Sequence, residues 1–168
     1  MSEQDLGPDN AFWDDGEWVS CNEINSTLYK LELKERFPLA EPGTVKAFYD
    51  LLEAAQDYQG ATGRPAPLYG ELGELFVEIS YGLKRHKPNA AGSDGRIGND
   101  FVEVKTISPE KSKLEVQVKR QGNFNKLIVV RICPYYSFEA RMLERAKMPK
   151  GDGKLATAVW GESELCWA

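Results

Sequence analysis

Residues 92–106, GSDGRIGNDFVEVKT, decide the fold, because the hydrophobic pattern changes there from a helical period to a strand period. Glu103 and Lys105 follow Asp94 by nine and eleven residues. Side chains alternate along a strand, so Glu103 and Lys105 project from the same face. A turn at Gly98 and Asn99 folds the segment with Asp94 back beside that strand. The stretch therefore predicts two carboxylates and an amine at one end of a sheet.

This set of side chains suits phosphodiester hydrolysis. Clustered carboxylate oxygens hold Mg²⁺ or Mn²⁺, which neutralises the phosphate and lowers the pKa of a bound water. A lysine beside them orients the attacking water or stabilises negative charge as it develops. Glu71 and Glu74, on a helix just upstream, are candidates for a further carboxylate ligand. The sequence does not decide between them.

The segments around this stretch predict alternating helices and strands. Before it, residues 68–83 carry Leu72, Leu75, Phe76, Ile79 and Leu83 in a helical stripe. After it, the nearly continuous apolar run at residues 127–133 predicts a central strand that is covered on both faces. The remaining predictions are strands at residues 101–107, 114–119 and 156–160, and a short helix at residues 138–146. Helices followed by a meander of strands indicate a mixed α/β fold.

The first sixty residues are predicted to form a separate extension. Residues 1–19 are acidic, contain Gly and Pro, and are expected to be irregular. Ser20 and Glu23 have the spacing of a capping box, which predicts a helix that starts there and ends before Pro38. A second helix is expected at residues 44–58, and residues 60–67 are expected to be a connector. The domain prediction is therefore an N-terminal arm with helices at 1–60 and a core at 61–168.

Charge is distributed unevenly along the chain. The 168 residues have a net charge of -5, yet residues 1–60 carry 13 acidic against 4 basic side chains. Residues 84–131 carry 11 basic against 5 acidic side chains. A basic middle segment suits contact with a polyanion such as nucleic acid, although lysines that keep strand edges soluble explain it equally well.

Composition excludes several other kinds of site. With one histidine, His86, the chain cannot build a two-histidine zinc site or a Cys-His zinc finger. His86 itself lies in a basic run that is expected to be a solvated helix end. The widely spaced Cys21, Cys133 and Cys166 are expected to be reduced thiols in a cytoplasmic protein. No apolar stretch is long enough for a membrane span, and the acidic start is not a secretory signal.

The order and spacing of the charged residues resemble the PD-(D/E)XK nuclease superfamily, which includes many restriction enzymes and Holliday-junction resolvases. The resemblance implies a restriction-endonuclease-like fold, a mixed central sheet flanked by helices. It also implies a magnesium-dependent endonuclease, with Asp94 as the motif aspartate, Glu103 as the second acid and Lys105 as the lysine. Glu71, eleven residues before Gly82, is the first choice for the helix glutamate, and Glu74 is the second.

The resemblance covers roughly 70 of 168 residues. Within it, residues 63–132 are similar to a small uncharacterised bacterial family of that superfamily. The shared pattern is a Gly-Glu-x-x-Glu helix, a Gly-x-Asp turn and a strand with an acid or glutamine two residues before a lysine. The chain departs from the superfamily in having Ser93 where a proline often precedes the aspartate.

Two rival positions remain open, and the expected partner is nucleic acid. Asp100 competes with Asp94, and the pair Gln117 and Lys119 competes with Glu103 and Lys105. We prefer Glu103 and Lys105, because a carboxylate binds Mg²⁺ better than an amide does. DNA is preferred to RNA, no membrane is expected, and a homodimer is left open. The expected nucleic-acid contacts are Lys84, Arg85, Lys87, Gln117, Lys119 and Arg120.

Two functions of another class compete with the nuclease. One is a catalytically inactive nuclease-fold module that binds nucleic acid or a protein. The other is an inhibitory or protein-binding role of the acidic first sixty residues, which would mimic DNA or cover the basic part of the chain. Because the acids and the lysine are all present, the sequence favours the enzyme.

Overall fold

The computed structural model describes residues 6–87, 92–162 and 164–165. These residues form a mixed α/β structure with three α-helices and ten strands. The chain divides into two compact units, Met1–Pro38 and Leu39–Ala168, so the division precedes the second helix instead of lying near residue 60. Among the described helices, none is long and apolar enough to cross a membrane. Of the three cysteines, Cys21 and Cys133 are free thiols and Cys166 lies outside the described residues.

The first unit begins with a β-hairpin where the sequence predicted irregular chain. Strands β1 (Ala11–Asp14) and β2 (Glu17–Ser20) pair antiparallel, and Trp13 lies opposite Trp18 with their rings edge to face. Asp15 and Gly16 form the turn between them, both with positive φ. This two-residue Asp-Gly connection is a strong hairpin signal, so the sequence contained the information that the prediction missed.

Helix α1 (Cys21–Arg36) begins and ends where the capping pattern predicts. The Ser20 hydroxyl accepts a hydrogen bond from the Glu23 backbone N–H at 3.1 Å, which satisfies one of the donors left free at a helix start. Two leucines of α1 are not buried, since Leu28 and Leu31 are more than half exposed.

The second unit starts with two helices joined by a short connector. Helix α2 (Pro42–Thr62) is longer than predicted: Pro42 starts it with a preset φ, and Gly63, at φ 65°, ends it. Helix α3 (Tyr69–Tyr81) ends at Gly82, whose φ of 70° is left-handed. The predicted stripe of α3 is confirmed as its buried side at Leu72, Leu75 and Ile79, which it shares with Val77.

The main sheet has six strands, which are β3 (Lys84–Arg85), β4 (Gly95–Ile97), β5 (Asp100–Ile107), β7 (Lys126–Ile132), β8 (Phe138–Glu144) and β10 (Glu164–Leu165). Their order across the sheet is β10, β8, β7, β5, β4, β3. Its centre is the parallel pair β5 and β7, and every other neighbouring pair is antiparallel. The predicted central strand is confirmed, because β7 lies between two partners and is buried on both faces.

Strands β6 (Glu115–Lys119) and β9 (Leu155–Val159) form a separate two-stranded sheet. The predicted meander is therefore wrong: after β5 the chain leaves the main sheet, forms β6, and returns as β7 parallel to β5. The small sheet packs through Val116, Val118 and Ala158 on one face of the main sheet. Helix α3 contributes Val77 to the apolar cluster on the other face. Helices thus cover one face of the central strands, and the small sheet covers the opposite one.

The predicted helix at residues 138–146 is also wrong. Phe138–Glu144 is strand β8, and only Arg145–Lys147 form a single turn of 3-10 helix. The segment is rich in helix-forming residues, but the free edge of β7 offers it a complete antiparallel ladder through a tight turn. Burial of Ala140 and Leu143 on opposite faces then outweighs local propensity.

Candidate active site

A hairpin places Asp94 beside strand β5, as the sequence predicts. Strand β4 pairs antiparallel with β5 across a turn at Gly98 and Asn99, and Gly98 has a φ of 59°. The Asp94 backbone donates to the Val102 carbonyl at 3.0 Å. One carboxylate oxygen, Oδ2, accepts a hydrogen bond from the Val104 N–H at 2.7 Å. Asp94 is thus fixed by main-chain contacts on the strand that carries Glu103.

Glu103 and Lys105 project from the same face of β5. The Lys105 ammonium lies 2.6 Å from Glu103 Oε1. The Glu103 side chain is 17% exposed and that of Lys105 is 34% exposed, so the pair is accessible without being fully solvated. Between them, Val104 faces the opposite way and is buried in the apolar cluster that contains Val77 of α3. The alternation of the sequence therefore separates the charged face of β5 from the core.

Asp94, Glu103 and Lys105 line one cleft of about 1070 Å³. On its other side lies the small sheet, which contributes Gln117 and Lys119 from β6 and Leu155 from the start of β9. This cleft, which we call the catalytic cleft for the role that we propose for it, is also lined by side chains that sequence reasoning did not select. They are Gln121, Asn123 and Lys154.

The two helix glutamates are bound to an arginine from the edge of the sheet. Arg85 of β3 donates to both oxygens of Glu71, at 2.7 and 2.9 Å, and to Glu74 Oε2 at 2.8 Å. Glu78 also lies within ion-pair distance of Arg85, at 3.9 Å. In the described ranges, neither Glu71 nor Glu74 lines the catalytic cleft. Arg85 is thus engaged by these carboxylates, whereas the sequence predicted a phosphate contact.

The Asp94 carboxylate affects the pKa of Glu74. Burial and the Asp94 carboxylate raise the pKa of Glu74, against the opposing effect of Arg85. Glu71 is the more exposed of the two helix glutamates, with 47% of its side chain accessible against 28% for Glu74. The Asp94 carboxylate therefore acts on the pKa of Glu74, the second choice for the helix ligand, although neither helix glutamate lines the catalytic cleft in the described residues.

Replacing Arg85 by Gln is expected to make stability strongly dependent on pH. Arg85 is the basic group that the described residues place against Glu71, Glu74 and Glu78. Without it, the pKa of Glu74 rises further above its unfolded value, so the carboxylate destabilises the fold at neutral pH and is relieved as acidification protonates it. We expect a loss of about 1 to 2 kcal/mol at neutral pH, since these groups are partly solvated.

Urea unfolding of the Arg85→Gln variant at neutral and mildly acidic pH measures this effect. Arg64→Gln is the matched control, because Arg64 is exposed and no described contact involves its side chain. An equal loss of stability for Arg85→Gln at both pH values would contradict the electrostatic explanation.

Asp94 and Glu103 are the two carboxylates in the described lining of the catalytic cleft that could hold a magnesium or manganese ion. Asp94 and Glu103 each use one oxygen for a protein partner, and within the described residues the second oxygen of each has none. Mg²⁺ is often held by one or two carboxylates and keeps several waters. A site built from three or more His, Cys, Asp or Glu side chains is not found among the described residues.

The rival aspartate, Asp100, is bound to two neighbouring side chains. Asp100 pairs with Lys126 at 2.6 Å and accepts a hydrogen bond from Asn125 at 2.6 Å. The Lys126 hydrogen bond holds the pKa of Asp100 below its usual value. The rival pair Gln117 and Lys119 does not lie on the strand next to β5, as the sequence suggested, but on the small sheet facing it. Asp100 thus pairs with Lys126, whereas Gln117 and Lys119 line the catalytic cleft from the small sheet.

The remaining expected contacts with nucleic acid divide between two regions. Lys84 and Lys87 are exposed near the edge strand β3 and do not line the catalytic cleft in the described part of the chain. Arg120 donates to the carbonyl oxygens of Leu155 and Pro149. The basic run around His86 is not a helix end: His86 follows β3, half-buried, and its Nδ1 lies 3.2 Å from the Ser93 carbonyl oxygen.

Comparison of the chain with protein-family models and with curated proteins finds no match.

Proposed function

We propose that this protein is a metal-dependent phosphodiesterase that cleaves nucleic acid internally. The observation that supports the proposal is the meeting of Asp94, Glu103 and Lys105 in one accessible cleft. The two acids and the lysine belong to the β4–β5 hairpin and the residue directly before it, and they correspond to three of the four side chains that the PD-(D/E)XK resemblance implies. The mixed sheet with α-helices agrees with that fold at the level of class, and the restriction-endonuclease-like topology is part of the proposal.

Each residue has a distinct part in the proposed reaction. Asp94 and Glu103 would hold Mg²⁺ or Mn²⁺, and the ion would supply charge neutralisation and a more acidic bound water. Asp94 is prepared for this role, because the Val104 N–H fixes its orientation. Lys105, held next to Glu103, places a positive charge where negative charge develops on the phosphate.

The test is cleavage of a panel that contains plasmid DNA, single-stranded DNA and structured RNA. We expect cutting with Mg²⁺ or Mn²⁺ and none with EDTA. Lys105→Ala should lower the rate by at least about a hundredfold, since a positioned proton-transfer or charge-stabilising group contributes on that scale. Lys113→Ala is the control, because Lys113 is exposed and lies outside the catalytic cleft. Cutting by Lys105→Ala at the rate of Lys113→Ala would contradict the proposal.

A catalytically inactive binding module is the second candidate function. The observation that favours it is the ion-pair network in which Arg85 engages Glu71 and Glu74, so that these acids are neutralised within the protein. In that case the panel would show binding without metal-dependent cutting, and Lys105→Ala would bind as the unmodified protein does.

A further inference from the structure

A second cleft, of about 710 Å³, adjoins the catalytic cleft. Lys119 of β6 lines both, so the two spaces meet at this side chain. We infer that the second cleft, which we call the basic cleft, binds the phosphodiester backbone of the nucleic-acid strand beyond the point of cleavage. The inference rests on the proposed function and extends it by giving the substrate a path.

Charge in the basic cleft is strongly biased. Five basic side chains line it against two acidic ones, Asp100 and Glu144, although the whole chain has a net charge of -5. A concentration of positive charge on an otherwise acidic protein selects a polyanion and directs it to one place. The basic side chains are Lys119, Arg120, Lys126, Arg145 and Lys150.

The positive charge of the two arginines is not cancelled by their hydrogen-bond partners, which are neutral carbonyl groups. Arg145 donates to the carbonyl oxygens of Gly122, Phe124 and Arg120. Arg120 in turn donates to carbonyl oxygens near the start of β9 and in the loop after β8. Carbonyl groups satisfy the donors without cancelling the positive charge. These arginines therefore build the wall of the cleft and contribute to its potential together.

Three lysines supply amines for direct contact along the path. Lys154 lines the catalytic cleft, Lys150 lines the basic cleft, and Lys119 stands between them. All three are exposed, and none forms an ion pair within the part of the chain that the structure describes. Lys126 differs, because Asp100 neutralises it at 2.6 Å. Unpaired amines spread over two adjoining clefts suit a chain of phosphates better than a small anion, which would need one enclosed site.

The path offers contacts to the backbone and little for the bases. Among the described residues that line the two clefts, Phe124 is the one aromatic side chain. It is buried, and the Arg145 guanidinium carbon lies over it, 5.0 Å from the centre of the Phe124 ring. Base stacking on an exposed ring is thus absent from the described part of both clefts. Contacts to phosphates carry no sequence information. We therefore expect the binding affinity to depend strongly on salt concentration and weakly on nucleotide sequence.

The test is binding of labelled single-stranded DNA and RNA oligonucleotides of increasing length, followed by fluorescence anisotropy in EDTA over a range of salt. The variant Lys119→Gln/Lys150→Gln removes two proposed phosphate contacts. We expect it to lower the slope of log affinity against log salt by about 1.4, with the loss confined to the longer oligonucleotides. The control Lys30→Gln/Lys113→Gln removes two exposed lysines outside both clefts and should leave the slope unchanged.

The outcomes separate this inference from the proposed function. An unchanged slope in Lys119→Gln/Lys150→Gln, or no binding by the unmodified protein, would overturn the basic cleft as a binding path. If cleavage is retained in that case, the proposed activity stands without it. A reduced slope without any metal-dependent cleavage would support the path and count against the nuclease. The DNA and RNA series identify which backbone the path accepts.

Discussion

Replacing Asp94 by Asn is expected to abolish metal-dependent cleavage while leaving the protein folded. The amide keeps an oxygen that can accept the Val104 hydrogen bond, so the hairpin retains its main-chain contacts. It removes the negative charge that would hold the ion together with Glu103. Loss of groups that only orient a metal ligand costs about 10- to 100-fold, and loss of a ligand should cost at least the upper value. The measurement is the single-turnover cleavage rate in Mg²⁺.

Asp100→Asn is the matched control for this experiment. Asp100 is the other aspartate of the hairpin, but its carboxylate pairs with Lys126 and it does not line the catalytic cleft in the described residues. Cleavage by Asp100→Asn should stay within a few-fold of the unmodified rate. If Asp100→Asn lost activity and Asp94→Asn kept it, the rival aspartate would be the ligand and the assigned site would be wrong.

Replacing Gly73 by Ala is expected to give the largest loss of stability among single small substitutions in α3. A Cβ at this position would lie 2.0 Å from Thr106 Oγ1 and 3.1 Å from Thr106 Cβ. Helix and strand are in direct contact here, so one of them must move. Overpacking of this kind costs about 3 kcal/mol. Because Thr106 follows Lys105 on β5, the shift should also disturb the catalytic cleft.

Gly70→Ala is the control for this prediction, since an added Cβ at Gly70 meets nothing within 4 Å. It should stabilise α3 by about 0.5 kcal/mol, because alanine loses less backbone freedom on folding than glycine. In the double variant Gly73→Ala/Thr106→Ala, the clashing hydroxyl is removed and much of the loss should be recovered. The Thr106 hydroxyl is buried without a hydrogen-bond partner among the described groups, so its removal costs little. Equal stability of Gly73→Ala and Gly70→Ala in urea would contradict the close packing.

Local signals in the sequence predicted the elements that are formed by neighbouring residues. Three such elements are the capping of α1 by Ser20, the apolar stripe of α3 and the hairpin beside Asp94. Each depends on contacts between residues that are close in the sequence. Strand β8 was mistaken for a helix because its identity depends on the free edge of β7. The separation of β6 from the main sheet depends on β9, which follows it by about forty residues. Such pairings are set by the whole fold and leave little trace in a short window.

The residues of the candidate site likewise divide into those that the local sequence predicts and those that only the whole fold brings there. Period-two alternation is enough to place Glu103 and Lys105 on one face, and the turn is enough to bring Asp94 beside them. Lys154 could not be selected, because it reaches the catalytic cleft only through the pairing of β9 with β6. Arg85 was taken for a phosphate contact because its partners, Glu71 and Glu74, lie on another element.

Binding of Mn²⁺, counted by electron paramagnetic resonance, tests most directly whether Asp94 and Glu103 form the ion site of this protein. The unmodified protein should bind Mn²⁺ at this site, and both Asp94→Asn and Glu103→Gln should lose that binding. Asp100→Asn should retain it. Binding of Mn²⁺ that is unchanged in Asp94→Asn, or absent from the folded unmodified protein, would contradict the assignment of the catalytic cleft.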